Sequence, residues 1–417
     1  MGEHTNTKSI ARARVVQLKD SLGKVQAIFP EESMLDVSVI TRIAKRRLDP
    51  LIPTKKNINT IFNINKTITY IDSSLRYKEH LILDQTDNIE VIRDNALQDI
   101  FSGPHSQFAN IAIPLNKIPM DIDTHLNDEG QMLKALGRFQ SIHVRQRLEQ
   151  TLELPPLPIS SQRILHLYAD KNGGTDELCK IINLDPSLSA QVVSWASSAY
   201  YGAPGEIKSV EDAIIRVLGF DMVMNLALGL SMGKVLESPK NGPKHYDDYW
   251  FTAVYFASLM DAITEKLPIG IRPRTGHAYL AGLLHNFGYL AISAILPSHF
   301  TILSRYLEAN SHLQANIVEM QLLRLSSEQI GTWLLRHWSL PESICNGIRY
   351  SKKTHYNSDD DIMSLTLNTC HKLVSGKEIP KESLDILQIT NEQLHAIFTD
   401  INDTSDSLKR MAAIMNR

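Results

Sequence analysis

The chain has 417 residues, of which 43% are hydrophobic and 21% are charged. This length predicts about two to four domains, and the composition excludes a wholly disordered or a collagen-like chain. The formal net charge of -3 gives no global positive field that would hold nucleic acid or an anionic membrane. Any such binding therefore has to be local.

The cysteines and the N-terminus predict a cytoplasmic protein with no membrane partner. Cys179, Cys345 and Cys370 are the only cysteines and form no Cys-x-x-Cys pair, so neither a disulfide framework nor a thiolate zinc site is expected. The first ten residues lack the apolar core of a signal peptide, and no run of about 18 apolar residues follows. The 15 histidines are the one compositional feature that points to metal or acid–base chemistry.

The first hundred residues alternate short β-branched runs with turns, which is typical of an α+β domain. Residues 13–18 and 25–29, joined by a turn that contains Gly23, predict a β-hairpin. The apolar spacing from Leu35 to Leu48 predicts a helix that Asp49-Pro50 ends. Three further strands and a short helix are predicted at 67–71, 80–84, 89–93 and 95–101. We place this domain at residues 10–103, after a tail at residues 1–9.

Residues 104–153 are predicted to form a linker with one helix. The stretch 102–123 contains Pro104, Pro114 and Pro119 and reads as an irregular connector. Residues 129–153 then have the pattern of a linker helix.

Helical periodicity dominates from Leu154 onward. Asp185-Pro186 suits a helix N-cap followed by proline in the first turn, and residues 209–212 form a start similar to a capping box. Both are signals of fold. We therefore predict an all-helical domain at residues 154–354 and a helical C-terminal extension at residues 355–417.

An ordered series of motifs in the helical part resembles the HDOD domain, a family related to the HD phosphohydrolases. The motifs are LPPLP at 154–158, INLDPSL at 182–188, ASSAYYG at 196–202, AGLLHNFG at 281–288 and WSLP at 338–341. The resemblance implies an all-helical, HD-like fold. In the related hydrolases, histidines and aspartates hold one or two divalent metals.

One metal-ligand position of those hydrolases survives in this chain, at His285. Thr252 stands at the first histidine position, and Asn286 replaces the aspartate that follows His285. The later positions fall at Ser327, within SSEQ, and at Tyr350, where Tyr350-Ser351 replaces a pair of histidines. Hydroxyls and a neutral amide cannot supply the charge that anchors a divalent cation. We therefore expect no catalytic residues, no metal and no other cofactor.

Two roles remain for these positions. A lone histidine beside Leu283, Leu284 and Phe287 is typical of a hydrogen-bonded core residue, and the other histidines show no i, i+4 ligand spacing. Alternatively, the relics of the metal centre form a vestigial pocket whose hydroxyl, amide and imidazole groups bind a small molecule. The members of that candidate pocket are Thr252, His285, Asn286, Ser327 and Tyr350.

The N-terminal part is similar to the YbaK/prolyl-tRNA-synthetase-associated editing domains. The similarity lies in ARVV at 13–16, QAIFP at 26–30, the helix after Leu35 and YIDSSL at 70–75. Active members of that family use a lysine on the first strand and a Gly-x-x-Pro loop. Residues 11–14 contain no lysine and residues 63–69 contain neither glycine nor proline, so deacylation is not expected.

A basic patch on the predicted N-terminal helix is the one candidate nucleic-acid surface. It consists of Arg42, Lys45, Arg46 and Arg47, followed by Lys55 and Lys56, and it could meet tRNA phosphates. Acidic residues flank the patch and no stacking aromatic residues are interleaved with it. We favour a solvated helix face and do not expect tRNA as a partner.

The sequence therefore predicts a non-catalytic bacterial signal-transduction or regulatory protein. It would act by binding a signalling protein, or a small molecule, through the degenerate HD domain, as HDOD domains often serve as output modules. Two enzyme alternatives stay open. One is a metal-dependent phosphohydrolase with a rebuilt site, and the other is an aminoacyl-tRNA editing-type deacylase or tRNA binder.

Overall fold

The computed structural model describes residues 10–51, 61, 66–84, 89–119, 130–131, 134, 157–169, 173–233, 249–274, 276–352 and 361–415. These residues divide into two units. The sheet unit contains residues 10–119 together with Ser298–Arg324, and the helical unit contains the other described residues.

All the described strands lie before residue 115. They are β1 (Ile10–Asp20), β2 (Gly23–Pro30), β3 (Ser33–Leu35), β4 (Asp49–Pro50), β5 (Ile68–Asp72), β6 (His80–Asp84), β7 (Ile89–Arg93), β8 (Ser106–Ala109) and β9 (Ala112–Pro114). Two helices lie among them, α1 (Val37–Ala44) and α2 (Asp94–Ser102).

Helices account for the regular structure after residue 158. They are α3 (Ile159–Ala169), α4 (Thr175–Asn183), α5 (Pro186–Ala196), α6 (Val210–Ala213), α7 (Phe220–Gly233), α8 (Tyr249–Lys266), α9 (His277–Leu284), α10 (Phe287–Ile295), α11 (Pro297–Ala309), α12 (Ala315–Leu322), α13 (Ser327–His337), α14 (Glu342–Arg349), α15 (Asp361–Val374), α16 (Lys381–Leu387), α17 (Asn391–Asp403) and α18 (Ser405–Met415). The predicted fold class, an α+β region followed by a helical region, is confirmed.

The predicted hairpin is formed by β1 and β2. Their antiparallel register pairs Ala13 with Pro30 and Asp20 with Gly23. In the turn, the Asp20 carboxylate accepts hydrogen bonds from the backbone N–H groups of Leu22 and Gly23, at 2.9 and 3.1 Å. Gly23 has φ +135°, a conformation that side chains disfavour. The aspartate and the glycine together explain why the chain reverses there.

The main sheet has the order β7-β6-β1-β2-β5-β8, with β4 paired to β1. It is mixed, because β1 pairs in parallel with β6, while β6 and β7 are antiparallel. Its core is formed by apolar side chains from the strands, from α2 and from the 3-10 turn Ser73–Leu75, namely Ala13, Val15, Ile28, Ile71, Leu75, Leu81, Leu83, Ile92, Leu97 and Ile100.

The expected boundary at Gly103 falls inside this unit, and the reading of residues 102–123 as an irregular connector is wrong. β8 extends the main sheet beside β5, and β9 pairs with β3. Pro114 ends β9 at the edge of its two-stranded sheet, where a missing N–H is tolerated. The Asp72 carboxylate accepts hydrogen bonds from the N–H groups of Ile111 and Ala112, both at 2.9 Å, and so fixes the approach to β9.

The predicted helix from Leu35 to Leu48 is shorter in the structure, where α1 covers eight residues. Asp36 is its N-cap and accepts hydrogen bonds from the N–H groups of Ser38 and Val39. Lys45 ends the helix in the left-handed conformation, with φ 54° and its N–H bonded to the Thr41 carbonyl.

Helices α11 and α12 fall within the expected helical domain in sequence, but Ser298–Arg324 belongs to the sheet unit. The Asn310 side chain bonds to both backbone groups of Leu35, accepting from its N–H at 2.6 Å and donating to its carbonyl at 3.1 Å. The Tyr306 hydroxyl donates to the Asp36 carboxylate at 2.6 Å. Side chains of this segment therefore provide hydrogen-bond partners for backbone groups of β3 and for the Asp36 side chain at the start of α1.

The C-terminal extension is part of the helical unit. Its helices α15, α17 and α18 pack against α8. Thr390 starts α17 with a capping box shared with Gln393. The Tyr255 hydroxyl of α8 donates a hydrogen bond to the Asn402 side chain of α17 at 2.8 Å. None of the described helices is long and apolar enough to cross a membrane.

Candidate functional site

His285 lies at the junction of α9 and α10 and is almost fully buried, with 5% of its surface exposed. Its Nδ1 lies 2.6 Å from the Gly282 carbonyl, and its ring stacks on Phe256 with centroids 4.1 Å apart. Burial lowers the pKa of His285 to about 4. The ring is therefore neutral at pH 7, with the proton on Nδ1, because a carbonyl can only accept.

The other ring nitrogen of His285 is available as an acceptor. Nε2 is buried and has no hydrogen-bond partner among the residues that the structure describes. This tautomer, with Nδ1–H held by a backbone carbonyl, is the one a metal-binding histidine adopts. His285 has therefore kept the orientation of a ligand.

A close crossing of α10 and α13 brings Ser327 and its neighbours to this junction. A Cβ added at Gly288 would overlap the Ser327 carbonyl, and a Cβ added at Gly331 would lie 2.7 Å from the Gly288 nitrogen. Only glycine allows the two backbones to approach so closely. Ser326 begins α13 as the N-cap of a capping box with Gln329. The same box places Glu328 in the first turn.

Glu328 forms a largely buried ion pair with Lys352, which follows α14. The carboxylate side chain is 9% exposed and the lysine side chain 27%. Burial opposes the charged form of Glu328, but the Lys352 ammonium and its hydrogen bond more than compensate, so the pKa of Glu328 is below its usual value. The charge of Lys352 also reaches His285, where it favours the neutral ring.

A second histidine lies beside His285. His371, on α15, has its ring centroid 5.4 Å from that of His285 and 4.8 Å from that of Phe256. Burial lowers the pKa of His371 well below its ordinary value, and His285 and Lys352 lower it further. Two neutral imidazoles and one ion pair therefore share this region, which we call the His285 site: Phe256, His285, Glu328, Lys352 and His371.

The other four residues of the predicted pocket lie close in sequence to members of the His285 site. Asn286 directly follows His285, and Ser327 directly precedes Glu328. Thr252 lies on α8 one turn before Phe256, so the two side chains are on the same helix face. Tyr350 ends α14 and carries the Arg349 guanidinium over its ring at 5.3 Å, two residues before Lys352.

The donor set does not fit a divalent metal. His285 offers one imidazole lone pair, but Asn286 is a neutral amide and the Glu328 carboxylate is already held by an ammonium group. That ammonium would repel a second cation. Within the described ranges, no three His, Cys, Asp or Glu side chains converge as a metal ion requires.

Four members of the site were missed in the sequence: Phe256, Glu328, Lys352 and His371. Glu328 was considered only as part of the segment that replaces a histidine, and its polar neighbours Ser326, Ser327 and Gln329 give no signal that its side chain is buried. Lys352 stands directly after Tyr350-Ser351. His371 lies outside the motif series, and only the packing of α15 against α8 brings it near.

The residues of the basic patch differ in whether they form ion pairs. Arg46 pairs with Asp20 at 3.0 Å, and Arg47 lies 3.9 Å from Asp49. Arg42 and Lys45 are exposed. Part of the patch is therefore neutralised within the sheet unit, and its binding to tRNA stays a prediction. Lys55 and Lys56 lie outside the described residues.

Two arginines of β1, Arg12 and Arg14, lie in the segment where the resemblance to the editing domains would place the lysine. Arg12 donates to Asp84 at 2.6 Å, and Arg14 lies 3.9 Å from Glu31. Both side chains face carboxylates of the same unit. Residues 63–65 of the segment in which the Gly-x-x-Pro loop is expected lie outside the described residues.

A family model for the HDOD domain matches residues 154–354. A candidate signal transduction protein of Marinobacter aquaeolei VT8 has a solved structure that is 31% identical, with a TM-score of 0.85. That match covers 100% of this chain and 95% of the Marinobacter chain.

Two more distant relatives each match only part of this chain. A candidate phosphohydrolase of Shewanella amazonensis SB2B is 19% identical with a TM-score of 0.50, covering 66% of this chain and 99% of that one. At this identity the likeness shows the fold alone. An uncharacterized protein of Treponema pallidum (strain Nichols) is 21% identical over 249 residues, which are 58% of this chain and 47% of that protein. The chain therefore spans about half the length of the Treponema protein.

Proposed function

This chain belongs to the HDOD family, and we propose that it is a non-catalytic signal-transduction protein that acts by binding. The observation that carries the proposal is the buried Glu328–Lys352 ion pair beside His285. In a metal-dependent hydrolase, a divalent cation holds the carboxylates of the site and acidifies a bound water. Here a lysine ammonium holds the carboxylate, and it has no open coordination position from which to activate water.

The surrounding residues support the same conclusion. Thr252, Asn286 and Ser327 are neutral at ligand positions, and His285 and His371 are weak bases because both lie in surroundings that disfavour their protonation. The side chains of the site are nevertheless well packed. His285 stacks on Phe256, and Gly288 and Gly331 allow α10 and α13 to cross closely. A partner can recognise the shape of such a site even though the site converts no substrate.

The comparisons supply the biological class. The relative from Marinobacter, similar over nearly the whole of both chains, is a candidate signal transduction protein. We therefore assign the helical unit the role of an output module that contacts a signalling protein, with the vestigial pocket as a second surface that can take a small ligand.

The test is metal content and turnover, measured together. We expect the purified protein to carry no stoichiometric divalent metal, and no hydrolysis of bis-p-nitrophenyl phosphate or of cyclic and linear nucleotides in added Mn²⁺, Mg²⁺ or Zn²⁺. Tightly bound metal that is lost in His285→Ala, or metal-dependent turnover that is lost in the same variant, would contradict the proposal.

A gain-of-metal variant provides the matched control. Asn286→Asp combined with Lys352→Met restores an anionic ligand and removes the competing ammonium. We expect this variant to bind Mn²⁺ more tightly than the wild type, because two obstacles to a cation have been removed. Equal Mn²⁺ binding by both proteins would show that Lys352 does not exclude the metal.

The binding role has its own test. Affinity purification of the full chain from its native cells, compared with a variant that carries an altered helical surface, should recover a protein of a signalling pathway. A thermal-shift screen of nucleotides and second messengers addresses the pocket, since a ligand of the folded state raises the unfolding temperature.

A further inference from the structure

The segment Ser298–Arg324 connects the two helices that cross at the His285 site. It begins three positions after the end of α10 and ends three positions before Ser327, where α13 begins. Helices α10 and α13 belong to the helical unit, whereas the segment between them belongs to the sheet unit. The chain that leaves α10 and enters α13 is therefore held by contacts of the sheet unit.

The turn after α11 is bonded to both ends of β3. The Asn310 side chain is buried, with 1% of the residue exposed, and bonds to the N–H and the carbonyl of Leu35 at 2.6 and 3.1 Å. The Nε2 atom of His312 lies 3.1 Å from the Ser33 carbonyl. A shift of β3 therefore breaks these bonds or moves the turn with it.

Helix α11 contacts the start of α1 and the chain that follows α1. The Tyr306 hydroxyl donates to the Asp36 carboxylate at 2.6 Å and accepts from the Ser38 N–H at 3.0 Å, so it takes part in the N-cap of α1. The Arg305 guanidinium lies 3.1 Å from the Asp49 carboxylate. Helix α11 is thus tied to α1 at its beginning and to the chain beyond its end.

Apolar burial makes the segment a packed part of the sheet unit. Phe300, Leu303, Leu307, Val318 and Met320 are all buried. A packed interior transmits strain because it contains little free volume. We therefore expect the segment to move with β3 and α1 as one body.

The crossing of α10 and α13 also has little room. A Cβ added at Gly288 would overlap the Ser327 carbonyl, so the first turn of α13 cannot slide along α10 without opening the crossing. Glu328 lies in that turn and forms the ion pair with Lys352. A displacement at the end of the segment would reach the His285 site through the two residues that precede Ser327.

We propose that Ser298–Arg324 couples the sheet unit to the His285 site, so that a structural change in β3 or α1 alters the crossing of α10 and α13. The sheet unit is then the input of the protein and the helical unit its output. The word output rests on the proposed function, but the coupling does not depend on whether His285 binds a metal. Failure of the metal test therefore leaves the coupling intact, and the reverse also holds.

The experiment is amide hydrogen exchange of the full chain, measured by mass spectrometry on peptides from α1, α10, α13 and α17. Tyr306→Phe removes the hydroxyl that bonds Asp36 and Ser38 but keeps the ring. We expect exchange to rise about threefold or more in the first turns of α1 and α13, because local opening sets the rate. Helix α17 is the reference within the helical unit, and its exchange should change by less than about 1.5-fold.

Ser304→Ala is the matched control. It also removes a buried hydroxyl from α11, but one that bonds to the Phe300 carbonyl of the same helix. Exchange in α1 and α13 should stay within about 1.5-fold of the wild type. The proposal is overturned if Tyr306→Phe speeds exchange in α1 while α10 and α13 exchange as in the wild type, or if α17 speeds up equally.

A stronger variant decides if Tyr306→Phe leaves α1 unchanged. Asn310→Ala removes the bonds to both backbone groups of Leu35 and the bond to the Tyr306 carbonyl. The same criterion applies, with peptides that contain Leu35 as the direct readout. Faster exchange there without a change in α13 overturns the proposal.

Coupling is reciprocal, so the reverse experiment should agree. Gly288→Ala forces the crossing of α10 and α13 apart and should raise exchange in α1, and in peptides that contain Leu35, about twofold or more relative to α17. Gly270→Ala, where an added Cβ meets nothing within 4 Å, should leave these peptides unchanged. Unchanged exchange of α1 and of the Leu35 peptides in Gly288→Ala would contradict the coupling.

Discussion

Positive charge is used differently in the His285 site and in the basic patch of the sheet unit. Lys352 is largely buried and holds a carboxylate that is almost fully enclosed. Arg47 and Asp49 lie 3.9 Å apart with side chains 64% and 59% exposed, whereas the Arg46–Asp20 pair, with side chains 19% and 14% exposed, is about as shielded as the Lys352–Glu328 pair. Water screens the exposed pair and scarcely reaches the buried one.

This difference shows that the number of basic residues in a stretch of sequence does not identify a functional site. The patch is prominent in the sequence because four basic residues lie within six positions. Two of them, Arg46 and Arg47, nevertheless pair with carboxylates of their own unit. Lys352, which is followed by Lys353, lies outside the patch, yet it is the cation that pairs with the buried Glu328 carboxylate. Each of the following predictions tests that contrast.

The largest effect is expected when the buried pair is broken. Lys352→Met leaves the Glu328 carboxylate enclosed without its cation and should lower the free energy of unfolding by about 2–3 kcal/mol, measured by urea denaturation. Lys352→Met combined with Glu328→Gln should return to within about 1 kcal/mol of the wild type, because no charge is then left uncompensated. A double variant as unstable as the single one would show that packing, not charge, dominates.

A backbone change should disturb the same site without altering any charge. Gly288→Ala places a methyl group on the Ser327 carbonyl and should destabilise the protein by about 1–3 kcal/mol. The control is Gly270→Ala, where an added Cβ meets nothing within 4 Å, and a change within about 0.5 kcal/mol is expected. Equal effects of the two substitutions would refute the close crossing of α10 and α13.

A partly buried histidine extends the contrast to the sheet unit. His312 lies 3.1 Å from the Ser33 carbonyl through Nε2, and burial, aided by Arg14, lowers its pKa to about 4. Because the folded pKa lies below the ordinary value of 6.5, the stabilisation is complete above pH 6.5 and is lost as the pH falls toward 4.

The matched variant for this test is His312→Gln, which keeps an N–H donor but does not titrate. Between pH 7 and 4.5 the wild type should lose about 1–2 kcal/mol more stability than this variant, since His312 is only partly buried. Parallel pH profiles of the two proteins would show that His312 does not stay neutral in the folded state.

The smallest effects are expected in the basic patch. Arg46→Met should cost about 1 kcal/mol, because its pair with Asp20 is mostly shielded, with side chains 19% and 14% exposed. Arg47→Met should change the free energy of unfolding by less than about 0.5 kcal/mol. An Arg47 effect as large as that of Lys352→Met would remove the distinction between the two regions.

Local sequence patterns predicted much of the fold. The hairpin is fixed by alternating residues around Asp20 and Gly23, and the helix starts at Asp36, Asp185 and Ser209 are fixed by their own capping hydrogen bonds. Strands β8 and β9 were missed because their pairing partners lie 37 or more residues away in sequence. The prolines around them gave a stronger local signal than the strands did.

The candidate site was predictable only in part. The identities at Thr252, His285, Asn286, Ser327 and Tyr350 could be read from the motif series, and they indicated which ligands had been lost. What replaced them could not be read, because Glu328, Lys352 and His371 come from three different elements. No spacing rule links residues that meet only after α13, α14 and α15 have packed.

The sequence by itself therefore determined the class of fold and the family, since these depend on residue identity and on contacts within a few positions. The tertiary structure alone decided which charges are buried, which helices complete the sheet unit and which polar atoms lack partners. Burial sets the energy of a charge, and burial is a property of the packed chain. The 15 histidines show this well: His285 and His371 gain their neutral state from surroundings that no local pattern encodes.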